Sequence, residues 1–126
     1  MDKHVRRALI LTILFALLIL ILSILPADMT SAPGGLYFEH MDKFAHGIMY
    51  GIFALLVTNL YLSIYSIRFW PLFSLVMVTW FYSIIMELLQ LYLISTRAGE
   101  IMDAVANLIG ILVGTFAYIG YKKIRS

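Results

Sequence analysis

Residues 8–25 read ALILTILFALLILILSIL, an apolar run in which only Thr12 and Ser23 are polar and which Pro26 ends. An α-helix needs about 20 mainly apolar residues to cross the hydrocarbon core of a membrane. The sequence contains four runs of this kind, at about Ala8–Leu25, Phe44–Ile67, Trp70–Ile94 and Ile101–Tyr121. With only short connections after the second and third runs, the sequence predicts an all-α membrane protein: a single domain, residues 1–126, folded as an up-and-down bundle of four transmembrane helices.

The composition leads to the same class. Hydrophobic residues make up 63% of the 126-residue chain and charged residues 13%, against roughly 45–50% and 25% in soluble domains. A chain of this length has too little interior to hide that much apolar surface from water. The absence of cysteine excludes disulfides and thiolate chemistry, and a net charge of only +2 argues against a nucleic-acid partner.

The basic residues predict an orientation. Seven of the nine Lys and Arg residues fall on one side of the predicted bundle: Lys3, Arg6, Arg7, Arg68, Lys122, Lys123 and Arg125. Because cytoplasmic segments carry the excess of Lys and Arg, we expect both termini in the cytoplasm. A signal peptide is the alternative for the first run, but its 18 residues exceed the roughly 7–15 of a signal core.

Polar residues interrupt the other three runs at positions that the topology brings to the outer side. On helix 2, Asp42, His46 and Tyr50 lie within about 80° of one another around the helix axis. Polar side chains inside spans are costly and need a partner or a purpose. The predicted outer cluster contains Asp42, Lys43, His46, Glu87, Gln90, Arg97, Asp103 and Asn107.

Three functions are compatible with this cluster. In the first, Lys43 and Arg97 bind the phosphate or carboxylate of a lipid headgroup, Arg97 in a bidentate geometry. In the second, the chain is an intramembrane enzyme in which His46 is the general acid or base and Asp42 or Glu87 sets its tautomer. In the third, the polar residues only join the helices.

Metal and cofactor motifs are not evident in the sequence. His46 is the only histidine within the predicted spans, and no paired-histidine zinc motif is present. We therefore predict neither a metal nor a cofactor. The oligomeric state stays open.

Two glycine pairs predict close helix packing. Gly47 and Gly51 on helix 2 have the four-residue spacing that lets helix backbones approach in a membrane. Gly110 and Gly114 repeat this spacing on helix 4. We expect helices 2 and 4 to pack through these glycines.

The order and spacing of the polar residues resemble the VanZ-like family of small bacterial membrane proteins. The resemblance covers about Asp42–Gly114 and departs at Glu100, where family members often have Asp. The resembling positions are Asp42, Lys43, His46, Tyr50, Glu87, Gln90, Arg97, Glu100, Asp103, Asn107 and Gly110.

The resemblance implies an envelope protein of the bacterial cytoplasmic membrane, and the family's namesake is linked to resistance to the glycopeptide teicoplanin. It names no reaction. The expected partner is a membrane lipid, a lipid-linked envelope precursor or a lipoglycopeptide, with Tyr50, Gln90, Asp103 and Asn107 among the ligand-binding residues beside Lys43 and Arg97.

Overall fold

The computed structural model describes residues 1–24, 41–93 and 101–126, and all of its regular structure is helical. Within these residues, four helices are each long and apolar enough to cross a membrane, which confirms the prediction of four long apolar helices. The helices are α1 (Lys3–Ile24), α2 (Met41–Leu62), α3 (Phe69–Leu93) and α4 (Ile101–Arg125).

Four helix ends lie three or more residues from the predicted ones, and three of them extend through polar residues outside the apolar run. Helix α2 begins at Met41 rather than Phe44. Helix α1 begins at Lys3 rather than Ala8, since the Asp2 carboxylate accepts a hydrogen bond from the His4 N–H at 3.2 Å and caps the helix. Helix α4 runs to Arg125 rather than Tyr121.

Helix α2 ends at Leu62, five residues before the predicted Ile67. The chain turns there, with the Tyr65 N–H donating to the Tyr61 carbonyl at 2.8 Å. Helix α3 then begins at Phe69 and carries Pro71 in its first turn, where no intrahelical N–H is needed.

The closest helix pair is α2 and α4, and their glycines form the contact. A Cβ at Gly51 would lie 3.1 Å from the Gly110 carbonyl oxygen, and a Cβ at Gly110 or Gly114 would overlap the carbonyl of Gly47 or Gly51. The predicted glycine packing is confirmed. Gly110 faces Gly47 and Gly114 faces Gly51. Residue numbers therefore rise in the same direction along both helices, so α2 and α4 run parallel.

The remaining contacts place α1 and α3 on one side of this pair. Helix α1 contacts α2 and α3, and α3 contacts α4. The consecutive helices α2 and α3 touch less than α2 and α4 do, so they lie diagonally rather than as close neighbours. Hydrogen bonds from Tyr82 Oη to the Ala16 carbonyl, 2.7 Å, and from Thr12 Oγ1 to the Leu56 carbonyl, 3.3 Å, hold α1.

The apolar core lies between the four helices. It is formed by buried side chains from each of them, including Ile19, Phe53, Met86 and Ile111, together with the ring of Tyr50. Phe15 stacks on Phe53 with ring centroids 6.2 Å apart. The polar cluster therefore sits at one end of a packed core, along the first turns of α2 and α4.

Candidate functional site

An ion pair joins the first turns of α2 and α4. Lys43 Nζ lies 3.9 Å from Asp103 Oδ1, and the side chains are 27% and 5% exposed, respectively. Asp103 is the third residue of α4, so its charge also lies at the positive end of the helix dipole. The parallel register of α2 and α4 sets this contact, because Lys43 lies one turn before Gly47 and Asp103 lies about one turn before Ala106, whose carbonyl oxygen faces Gly47.

A second pair joins α2 to α3. His46 Nε2 lies 3.4 Å from Glu87 Oε1, with the two side chains 10% and 11% exposed. His46 follows Lys43 by one turn, so both pairs lie along one stretch of α2. A carboxylate at this distance can orient the imidazole ring.

Neutral polar residues complete the cluster. Asn107, one turn after Asp103, has no exposed surface, and neither its Nδ2 nor its Oδ1 makes a hydrogen bond within the described residues. Leaving a buried amide without a hydrogen bond costs about 1–3 kcal/mol. Gln90 and Tyr50 are also buried.

The structure thus brings together most of the residues that the sequence placed in the cluster. Six of them lie on the facing parts of three helices: Lys43, His46, Glu87, Gln90, Asp103 and Asn107. Asp42 lies in the first turn of α2. Arg97 and Glu100 fall outside the described residues, so their predicted places in the cluster stay predictions.

Charge is segregated along α4. Asp103 lies in its first turn, and Lys122, Lys123 and Arg125 lie in its last. Lys122 follows Asp103 by 19 positions, which is about 29 Å at 1.5 Å per residue and close to the roughly 30 Å hydrocarbon core of a bilayer. The acidic and basic ends of this helix therefore suit opposite faces of a membrane.

Sequence reasoning missed the polar stripe on α3. Thr79 and Ser83 were not predicted as buried positions, and they lie on the same face of this helix as Met86 and the predicted Gln90, at the four- and three-residue spacing of a packed helix face. Ser83 Oγ donates to the Trp80 carbonyl at 2.6 Å. The spacing of these residues was a usable signal for a packed helix face. It was overlooked because each Ser or Thr was treated as a single interruption of an apolar run.

Trp80 was also missed. Its indole N–H donates to the Ala104 carbonyl at 3.0 Å and so ties α3 to the first turn of α4. This hydrogen bond crosses between helices just beside Asp103. It fixes α4 against α3 near the cluster.

The chemical capacity of the cluster is binding and proton transfer. One half-buried ammonium can pair with an anion, the imidazole can exchange a proton, and the amides can bind sugar or peptide groups. Within the three described stretches, no group of three or more His, Asp or Glu residues is placed to hold a metal ion.

Comparison of the chain with protein-family models, with characterised proteins and with solved structures finds no match. The class of protein is thus defined by the fold, a bundle of four helices with the length and apolar character to cross a membrane.

Proposed function

We propose that this chain is a VanZ-like protein of the bacterial cytoplasmic membrane. In this proposal its polar cluster lies in the outer leaflet and binds, or helps to move, a lipid, a lipid-linked glycan precursor or a lipoglycopeptide. Susceptibility to glycopeptide antibiotics such as teicoplanin would then depend on it. The spacing of the polar residues from Asp42 to Asn107 supports the family, and the four apolar helices support a multi-pass membrane location.

The observation that carries the binding role is the Asn107 amide. Residues that only join helices have their hydrogen-bonding groups satisfied by one another. Asn107 is fully buried, and within the described residues neither end of its amide has a hydrogen-bond partner. A hydrogen bond from a polar group of the ligand would remove the free-energy cost of burying this amide without a partner.

Each polar residue has a role in the proposed binding. Lys43, the most exposed member of the two ion pairs, pairs with the phosphate or carboxylate of the headgroup, and Arg97 assists it with a bidentate contact. Asp103 and Glu87 orient Lys43 and His46. Gln90 and Asn107 bind the sugar or amide groups of the ligand.

The charge distribution supports the proposed outer location. The basic residues of α4 lie at the end opposite Asp103, and basic ends of spans face the cytoplasm. Single cysteines test this cleanly, because the chain has none of its own. We expect Ser95→Cys to be labelled from outside and Ser126→Cys from inside, and the reverse pattern would overturn the outer-leaflet proposal.

The binding test is mass spectrometry of lipids that co-purify with the protein. We expect Arg97→Lys to fold normally and lose most of the retained ligand, since an ammonium cannot reproduce the guanidinium fork. Tyr118→Phe, a polar change at the opposite end, is the control and should retain the ligand. Equal retention by Arg97→Lys and wild type would contradict the proposed contact.

The alternative is an intramembrane enzyme acting on a lipid-linked substrate, and the 3.4 Å approach of His46 to Glu87 favours it. In this alternative His46 is the general acid or base, and Glu87 or Asp42 orients it. Comparing the co-purified lipid before and after incubation distinguishes the two functions. Conversion by wild type but not by His46→Gln supports an enzyme, whereas unchanged lipid in both supports a binding protein.

A further inference from the structure

A groove runs along the outward side of the α2–α4 pair, away from α1 and α3. Its volume is about 650 Å³, within the roughly 300–1,000 Å³ typical of small-molecule sites. Its floor is formed by the small residues of the helix contact. Its walls are the exposed side chains of Phe44, Ile48 and Ile52 on α2 and of Ile109 and Val113 on α4.

The groove has the length of one lipid tail. Along α2 it extends from Lys43 to Leu55, about 18 Å at 1.5 Å per residue. One leaflet of a bilayer is about 15 Å of hydrocarbon, half of the roughly 30 Å core. An acyl chain that starts at Lys43 would therefore end near Leu55 and Ala117.

Charge is present at one end only. Lys43 lines the mouth of the groove and is 27% exposed, whereas every other lining residue is apolar or glycine. The polar cluster lies directly behind this mouth through the Lys43–Asp103 contact. An apolar channel with a cation at its membrane-surface end matches a lipid whose phosphate lies one chain length from the bilayer centre.

We propose that this groove holds one acyl chain of an anionic phospholipid, with the phosphate of the headgroup at Lys43. This inference rests on the proposed function, because it names the lipid that the polar cluster would receive. A second copy of the chain is a poorer occupant. The glycines that allow close helix approach are already used between α2 and α4, and a second copy would bring two Lys43 side chains toward one interface.

The test fills the groove at lining residues outside the two glycine pairs. Ala106 lines the groove near its mouth, and Ala106→Leu would project into it. Ala45→Leu, on the exposed surface of α2 and outside the groove, is the matched control. The probes are phosphatidylglycerol and phosphatidylcholine with identical acyl chains, titrated onto the full chain and counted by native mass spectrometry.

We expect wild type and Ala45→Leu to bind phosphatidylglycerol alike, and Ala106→Leu to bind it roughly tenfold more weakly, a loss of about 1.4 kcal/mol. Lys43→Gln should remove the preference for phosphatidylglycerol over phosphatidylcholine. If Ala106→Leu does not fold, Ala117→Leu fills the other end of the groove and should weaken binding in the same way.

Unchanged phosphatidylglycerol binding in a folded groove variant would overturn the inference. So would a wild-type dimer that Ala106→Leu converts to monomer, because the occupant would then be a second copy. Failure of the proposed function is distinguishable. Groove filling could release lipid while His46→Gln and Arg97→Lys retain the native ligand unchanged. That result would support acyl-chain binding in the groove and contradict the proposed ligand-binding role of the polar cluster.

Discussion

The two ends of the α2–α4 pair are joined by different chemistry. At one end, Lys43 lies 3.9 Å from the buried carboxylate of Asp103. At the other, the Tyr118 hydroxyl donates a 2.5 Å hydrogen bond to Asn59 Oδ1, and no charge is involved. The two helices are thus joined by an ion pair at one end and by a neutral hydrogen bond at the other.

This difference between the charged and the neutral end bears on what the charged residues are for. Burying an ion pair requires removing two charges from water, and the penalty often equals or exceeds the attraction. The Tyr118–Asn59 hydrogen bond joins the same two helices without that penalty. The charged end agrees with the proposed recognition of a ligand, and the following variants test the difference between the two ends.

The largest effect is expected between the two ends, at the glycine contact. Gly110→Leu places its Cβ on the Gly47 carbonyl, so the helices must separate. We expect a loss of at least about 3 kcal/mol in the free energy of unfolding, since overpacking a tight contact typically costs 1–3 kcal/mol and sometimes more. Titration with sodium dodecyl sulfate, followed by tryptophan fluorescence, measures it.

Gly120→Leu is the matched control, because a Cβ at Gly120 meets no atom within 4 Å. It should unfold within about 0.5 kcal/mol of wild type, as surface substitutions usually do. Equal losses from the two leucines would mean that Gly110 is not packed.

At the charged end, the two halves of the ion pair should be unequal. Lys43→Ala removes a cation from a carboxylate that stays buried, and we expect a loss of about 2 kcal/mol, below the 3–5 kcal/mol of fully buried pairs. Asp103→Ala should cost less, because the ammonium of Lys43 can extend toward the membrane surface. The same detergent titration compares the variants, and an equal or reversed ranking would contradict the burial difference.

The smallest effect is expected at the neutral end. Tyr118→Phe removes one hydrogen bond and keeps the ring, and interhelical hydrogen bonds in membranes average about 0.6 kcal/mol. We expect a loss of that size in the detergent titration. A loss as large as that of Lys43→Ala would remove the contrast between the two ends.

The sequence was a good guide to the spans and to the glycine contact. Apolar length determines where a chain can cross a membrane, and the repeated Gly47/Gly51 and Gly110/Gly114 spacing singles out the two helices that approach closely. Neither signal depends on knowing how each helix is rotated.

The sequence did not specify how each helix is rotated about its own axis. Which acid pairs with Lys43 and which with His46 depends on how α3 and α4 turn about their axes, and the sequence left Asp42 and Glu87 as equal partners for His46. The hydrogen bond from Trp80 to Ala104 was equally hidden, because an indole in an apolar run gives no sign of its partner.

The parallel pairing of α2 with α4 has a consequence for synthesis in the cell. Gly47 leaves the ribosome 63 positions before Gly110, which is roughly 3–13 s at 5–20 residues per second. During that interval α2 enters the bilayer with its glycine face uncovered and with Lys43 ahead of Asp103. The nascent chain therefore offers insertion factors and neighbouring lipids a face that the finished protein conceals, and α4 must displace whatever has occupied it.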